Sequence, residues 1–224
     1  MSTTVTISPI IGVGLVAVAG VAAVASVAVL MASVLTDDAE CKQMLEEARR
    51  EQRAQRFVSI GLRSFDLSRL AQSAREAQFS VREHKDWVRI DVPGQRDPVW
   101  AARTTAGIAI VGGTQTAARV SVANTVSRLT QILASRGSIV TPVASRSTGR
   151  EVEFVATSSD NKRLQIAVMP SGEAVVDAVN HRGSECEKIA SDLAAAMEGT
   201  VTSYRRKPEF FGGAGVRVWG KQRA

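Results

Sequence analysis

The stretch PIIGVGLVAVAGVAAVASVAVLMASVL, Pro9 to Leu35, decides how the rest of the chain is read. Its 27 residues include eight valines, seven alanines and three leucines; its only polar side chains are Ser26 and Ser33, and no charged side chain occurs before Asp37. About 20 apolar residues at about 1.5 Å rise cross a bilayer core, so residues 1–36 are expected to hold a transmembrane helix. A cleaved leader would show a basic start and a shorter apolar core. Residues 1–8 carry no Lys or Arg, which favours an uncleaved single-pass anchor. Lys42, Arg49, Arg50, Arg53 and Arg56 follow the span. The positive-inside rule then puts the N-terminus outside and residues 37–224 in the cytoplasm, at the cell membrane. The lipid bilayer is the first partner this implies. Small residues at helical spacing, Ala19/Ala23, Ala22/Ser26 and Ala28/Ala32, suit homo-oligomerisation through the transmembrane helix, although an Ala-rich stretch holds such rows by chance.

Beyond the span, residues 37–56 read as a charged helical stalk, with sparse apolar positions at Met44, Leu45 and Ala48. Residues 57–145 read as an α+β domain of ferredoxin-like type, with helices on one sheet face. Its signals are the alternation of FVSIGL, a helix over 67–78 capped by Asp66, and short strands around Val81, Trp87–Val92, 98–104 and 106–111. A helix ending at Gly137 and a strand at Ile139–Val143 complete it. Residues 145–150, SRSTGR, look like a linker. Residues 151–211 read as a small β-β-β-α-β module: EVEFVATS, LQIAVMP and EAVVDAV alternate, a helix opens near Ser184 with Gly199 as its C-cap, and TVTSYRR returns as a strand. Residues 212–224 form a basic, Gly-rich tail. The fold class expected is thus α+β: one transmembrane helix, a stalk and two small α+β modules.

The chain carries a formal net charge of +6, and its distribution is more informative than its total. Residues 204–224 hold Arg205, Arg206, Lys207, Arg217, Lys221 and Arg223 against the single acid Glu209. The body is close to balanced, which excludes a uniformly basic nucleic-acid-binding domain. The tail suits anionic lipid, nucleic acid or an acidic protein partner. Phe210, Phe211 and Trp219 add apolar side chains to that interaction segment.

GEAVVDAVNHRGSECEKIASDLAAAMEGTVTSYRRKPEFF resembles a short bacterial and cyanobacterial family of unknown function. The matching positions are Gly172, Gly183, Cys186, Leu193, Gly199 and Lys207-Pro208-Glu209-Phe210-Phe211. The earlier segments FVSIGLRSFDLSRLAQSAREAQFSV and PGQRDPVWAART resemble the hypothetical-chloroplast-reading-frame-thirty-five family. Gln78 stands there at the position where that family usually has glycine. The two families are often encoded together near AAA-type ATPases, so the resemblance implies an adaptor or assembly role and an ATPase system as partner. It implies no catalytic residues and no cofactor.

Catalytic chemistry finds little in the sequence. Cys186 and His181 are the weak candidates for a thiol-dependent enzyme or a redox sensor, because a helix start lowers a thiol's pKa. Glu185 and Glu187 flank the cysteine and oppose that shift. The other histidine is His84 and the other cysteine Cys41, with no CxxC, so free packed thiols are the plainer reading. Gly112-Gly113-Thr114 lacks the Lys-Ser/Thr of a phosphate loop and reads as a tight turn. No metal-ligand spacing is found. The function expected is a membrane-anchored adaptor, with a tethered nucleic-acid binder as the alternative.

Overall fold

Two of the apolar runs, VWAART and GIAIVGG, are continuous rather than alternating, and strands of that kind are buried on both faces. A computed structural model of the chain places them side by side at the centre of a sheet; it describes residues 2–8, 37–53, 57–62, 64, 66–105, 107–143, 152–169, 172–181 and 184–206. In chain order the elements are β1 (Ser2–Ser8), α1 (Ala39–Arg53), β2 (Phe57–Leu62), α2 (Leu67–Glu76), β3 (Ser80–Glu83), β4 (Trp87–Asp91), β5 (Val99–Thr104), β6 (Gly107–Gly113), α3 (Thr114–Ser135), β7 (Ile139–Pro142), β8 (Val152–Thr157), β9 (Arg163–Val168), β10 (Ala174–Val179), α4 (Ser184–Ala196) and β11 (Thr200–Arg206). They build an antiparallel five-stranded sheet, β2-β6-β5-β4-β3, and an antiparallel six-stranded sheet, β11-β1-β10-β9-β8-β7.

Helices cover both faces of the five-stranded sheet, not one. On one face Ile60, Leu62, Val88, Ile90, Val99, Ala101, Ile108 and Ile110 pack against Leu67, Leu70, Ala71 and Ala74 of α2 and Ala117 and Val120 of α3. On the other, Trp87, Trp100, Ala102 and Val111 pack against Cys41, Met44 and Leu45 of α1. The segment expected as a solvated stalk is therefore a packed helix. Cys41, Met44 and Leu45 lie three and four residues apart, a narrow stripe that suffices because two tryptophans fill the sheet side. Asp38 caps α1, its carboxylate accepting from the backbone N–H of Glu40 at 2.9 Å and of Cys41 at 3.2 Å. The Trp87 indole N–H lies toward the same carboxylate without completing a hydrogen bond.

Helix α3 joins the two sheets. Its first half packs on the five-stranded sheet, while Leu129 and Leu133, with Val122, Val126 and Ile132, pack on the six-stranded one. Gly172, in the turn between β9 and β10, sits at φ +85, and a Cβ there would lie 2.1 Å from the Ser121 hydroxyl of α3. Its carbonyl accepts from Thr125 Oγ1 at 2.8 Å, so the turn is pressed directly onto the helix. Arg128 reaches across from α3 to the end of α4, donating to the Ala196 carbonyl at 3.1 Å.

The second module is larger than β-β-β-α-β. The strand at 139–142, expected in the first domain, pairs with β8 in the six-stranded sheet. Strand β1 lies between β10 and β11. Its Thr-Val-Thr-Ile alternation turns Val5 and Ile7 into the core beside Leu193 and Met197. Gly199 is not the left-handed residue ending α4; Glu198 is, at φ 54. Gly199 is needed for close approach instead, since a Cβ there would meet the Ser8 carbonyl oxygen at 2.8 Å.

The transmembrane helix is corrected by two findings. Among the described residues no helix is long and apolar enough to cross a membrane, and the stretch on which the expectation rested, 9–35, lies outside them. Independently, β1 precedes that stretch yet shares a sheet with β10 and β11, whereas a single pass starting at Pro9 would leave β1 across the bilayer from its neighbours.

Candidate functional site

The sequence's catalytic candidates meet at one corner of the six-stranded sheet. The β8–β9 turn carries Ser158, Asp160, Asn161 and Lys162, with Asn161 at φ 62. Strand β10 ends next to it, and Asn180 Nδ2 donates to the Asn161 carbonyl at 3.3 Å, tying the two turns together. His181 follows, and Glu185 lies in the first turn of α4.

Lys162 organises the charges there. Its ammonium pairs with Glu185 and, at 3.0 Å, with Asp160 Oδ2, and these two carboxylates raise its pKa. The Ser158 hydroxyl and then Lys162 hold the Asp160 carboxyl down at about 2. His181 is 5 % exposed, and among the described residues its Nδ1 has no hydrogen-bond partner; Glu185 Oε2 is 3.9 Å away. Burial lowers the His181 pKa, and the Glu185 carboxylate opposes that shift only in part.

Cys186 is 2 % exposed and belongs to the apolar core. Among the described residues no hydrogen bond joins it to His181, so the two are neighbours in sequence without the contact a nucleophile and its base require. Cys41 is also buried; burial, then Asp38 and Glu40, pushes its thiol up to about 11, which leaves it protonated at neutral pH. His84 stacks on Trp87 with ring centroids 3.5 Å apart. Gly112-Gly113-Thr114 runs straight from β6 into α3, and Gly112 sits where a Cβ would touch the Val99 side chain at 3.0 Å. The glycine thus serves strand packing. Among the described residues no group of three or more His, Cys, Asp or Glu is placed to hold a metal ion.

The expected interaction residues divide. Arg205 and Arg206 lie on β11, opposite Thr4 and Thr3 of β1. Lys207, Phe210, Phe211 and Trp219 lie outside the described residues. A surface the sequence reading missed is the other rim of the sheet: Ile139 is 73 % exposed, and Val143 and Val152 beside it are 40 % exposed. The signal was present, since Ile139, Thr141 and Val143 alternate on one strand with no charge among them.

What the fold defines is a two-sheet α+β protein joined through one shared helix. No family model, no characterised protein and no solved structure matches the chain.

Proposed function

We propose that this chain is an adaptor or assembly protein held at a membrane face, with the apolar stretch 9–35 entering and leaving the lipid from the same side. The observation that carries the reading is the position of β1. Both flanks of 27 apolar residues, β1 before and α1 after, are built into one folded body. Exposing that many valines and leucines to water is costly, at about 25 cal/mol per Å². The adaptor role is supported by the uncharged rim at Ile139, Val143 and Val152, which offers an apolar contact to a partner.

The test uses the full chain with a small tag at each end. Flotation with liposomes should carry it upward, and Val18→Lys with Val24→Lys should leave it at the bottom. In sealed vesicles both tags should be reached by protease from one side. Tags on opposite sides, or a full chain that ignores liposomes, would defeat the reading.

A further inference from the structure

The apolar stretch leaves the described chain after Ser8 and rejoins it at Asp37, and both points can be traced to one side of the molecule. In the five-stranded sheet the register pairs Leu62 with Ile108, Gly107 with Thr104, Ala102 with Trp87 and Val88 with Glu83. One rim of that sheet therefore holds the ends of β2, β3 and β5 and the starts of β4 and β6. The β3–β4 and β5–β6 turns and the start of α2 lie there too. The first turn of α1 is on this rim, because the Asp38 carboxylate lies by Trp87 and interacts with His84 of the β3–β4 turn. The other point leads to the same place. The Ser8 carbonyl passes under Gly199. Glu198 beside it is 3.7 Å from Arg128, and Arg128 interacts in turn with Asp66 and Arg69 at the start of α2.

We propose that this rim is the surface of the protein that rests on the bilayer, with Lys85 and Arg103 meeting the phosphates of phospholipid headgroups. This orientation rests on the reading that residues 9–35 enter and leave the lipid from one side. A chain that does so keeps both of its exit points at the headgroup layer, so the surface joining them faces that layer. The charges agree. Asp38 and Asp66 are engaged as helix caps, Asp37 pairs with Lys42, and Glu83 pairs with Arg75, with Asp86 and Glu40 outside such pairings. Lys85 is exposed at the tip of the β3–β4 turn and has no ion-pair partner among the described residues. Arg103 is held beside that turn by its backbone N–H, which donates to the Asp86 carbonyl at 3.0 Å; among the described residues its Nε has no partner. A guanidinium and an ammonium placed this way suit phosphate oxygens. Helices α1 and α2 both start at this rim, so the positive ends of their dipoles face the same phosphates. The opposite rim, with the β4–β5 loop, then points away from the lipid.

The experiment uses the full chain with one fluorophore on an introduced cysteine. Thr105→Cys labels the β5–β6 turn of this rim and Gln95→Cys the β4–β5 loop of the opposite one; both positions are exposed and the natural thiols are buried. The rims are one strand length apart, roughly 20 Å. Vesicles carry a phospholipid with a nitroxide on its headgroup, and bound chain is separated by flotation. The Thr105 label should be quenched several-fold more than the Gln95 label. Equal quenching, or stronger quenching at Gln95, in a chain that floats overturns the orientation and leaves the lipid reading standing. A chain that does not float defeats both. Thr105 emission that changes with protein concentration before vesicles are added assigns the rim to a second copy and also overturns the proposal. Lys85→Gln should lower partition onto vesicles rich in anionic phospholipid about five-fold, the weight of one cation at such a surface. An unchanged partition overturns the phosphate contact.

Discussion

The two sheets differ in how many of their faces are covered, and the sequence of each records the difference. In the five-stranded sheet, β5 and β6 are buried at nearly every position, with α1 on one side and α2 and α3 on the other. In the six-stranded sheet, β8, β9 and β10 alternate buried with half-buried or exposed, and their buried residues all face α3 and α4. A continuous apolar strand demands two covers, whereas an alternating one demands one. Counting the covers that VWAART and GIAIVGG require would have pointed to a helix beyond α2 and α3. The unused candidate was the one set aside as a stalk.

The comparison can be broken most directly at Trp87, which fills the α1 side of the five-stranded sheet. Trp87→Ala should destabilise the protein by about 3–5 kcal/mol in chemical denaturation. A loss below about 1 kcal/mol would mean that this face is open and α1 a stalk after all. On the six-stranded side, Gly199→Ala forces a side chain onto the Ser8 carbonyl and should cost about 1–3 kcal/mol, as overpacking does. The loss should vanish in a chain lacking residues 2–8, and if it persists there, β1 is not what Gly199 makes room for.

Smaller effects sharpen the picture. His181 is held neutral by burial, with Glu185, Lys162 and Asp160 as its charged neighbours. Its folded pKa is below the 6.5 of the free group, so the unfolded chain takes up a proton first as pH falls. Stability should decline as pH falls below about 6.5, and His181→Asn should flatten that slope; an unchanged slope would remove His181 as its source. Gln78, at φ 62, occupies a left-handed position at the end of α2, and the Phe79 N–H returns to the Ala74 carbonyl at 2.9 Å. Gln78→Gly should stabilise by roughly 1 kcal/mol, because only glycine takes that conformation without steric cost. A neutral or destabilising result would mean that Gln78 makes a compensating contact. Ile139→Thr at the exposed rim should change stability by less than about 0.5 kcal/mol, so any larger loss would show that the rim is covered.

Most of the strands were legible because their apolar positions alternate or run together, and α2 and α4 because their stripes recur at helical spacing. The sheet to which a strand belongs was not legible. Ile139–Pro142 follows α3 closely and reads as a return to the first sheet, yet it joins β8 beyond the 144–151 segment. The N-terminal strand was obscured by its neighbour: beside 27 apolar residues, STTVTIS looks like a polar overhang, although Val5 and Ile7 alternate with threonines in strand fashion. The His181 corner was legible in part. Spacing placed His181 and Cys186 near one helix start, but which way each side chain faces depends on the turn at Asn180, whose left-handed backbone the sequence does not announce. Lys162, which arranges the charges there, lies 23 positions from Glu185 and has no local signal.

The position of β1 also has a consequence in time. Residues 2–8 emerge from the ribosome roughly 170 to 200 positions before the strands that flank them, β10 at Ala174–Val179 and β11 at Thr200–Arg206. At about 5–20 residues per second, that strand waits on the order of 10 to 40 seconds with Val5 and Ile7 uncovered. The five-stranded sheet, drawn from residues 57–113 with α1 just before it, can close while synthesis continues. The six-stranded sheet cannot be completed until Thr200–Arg206 has been made. For that interval the nascent chain displays an unpaired strand whose partners have still to be made.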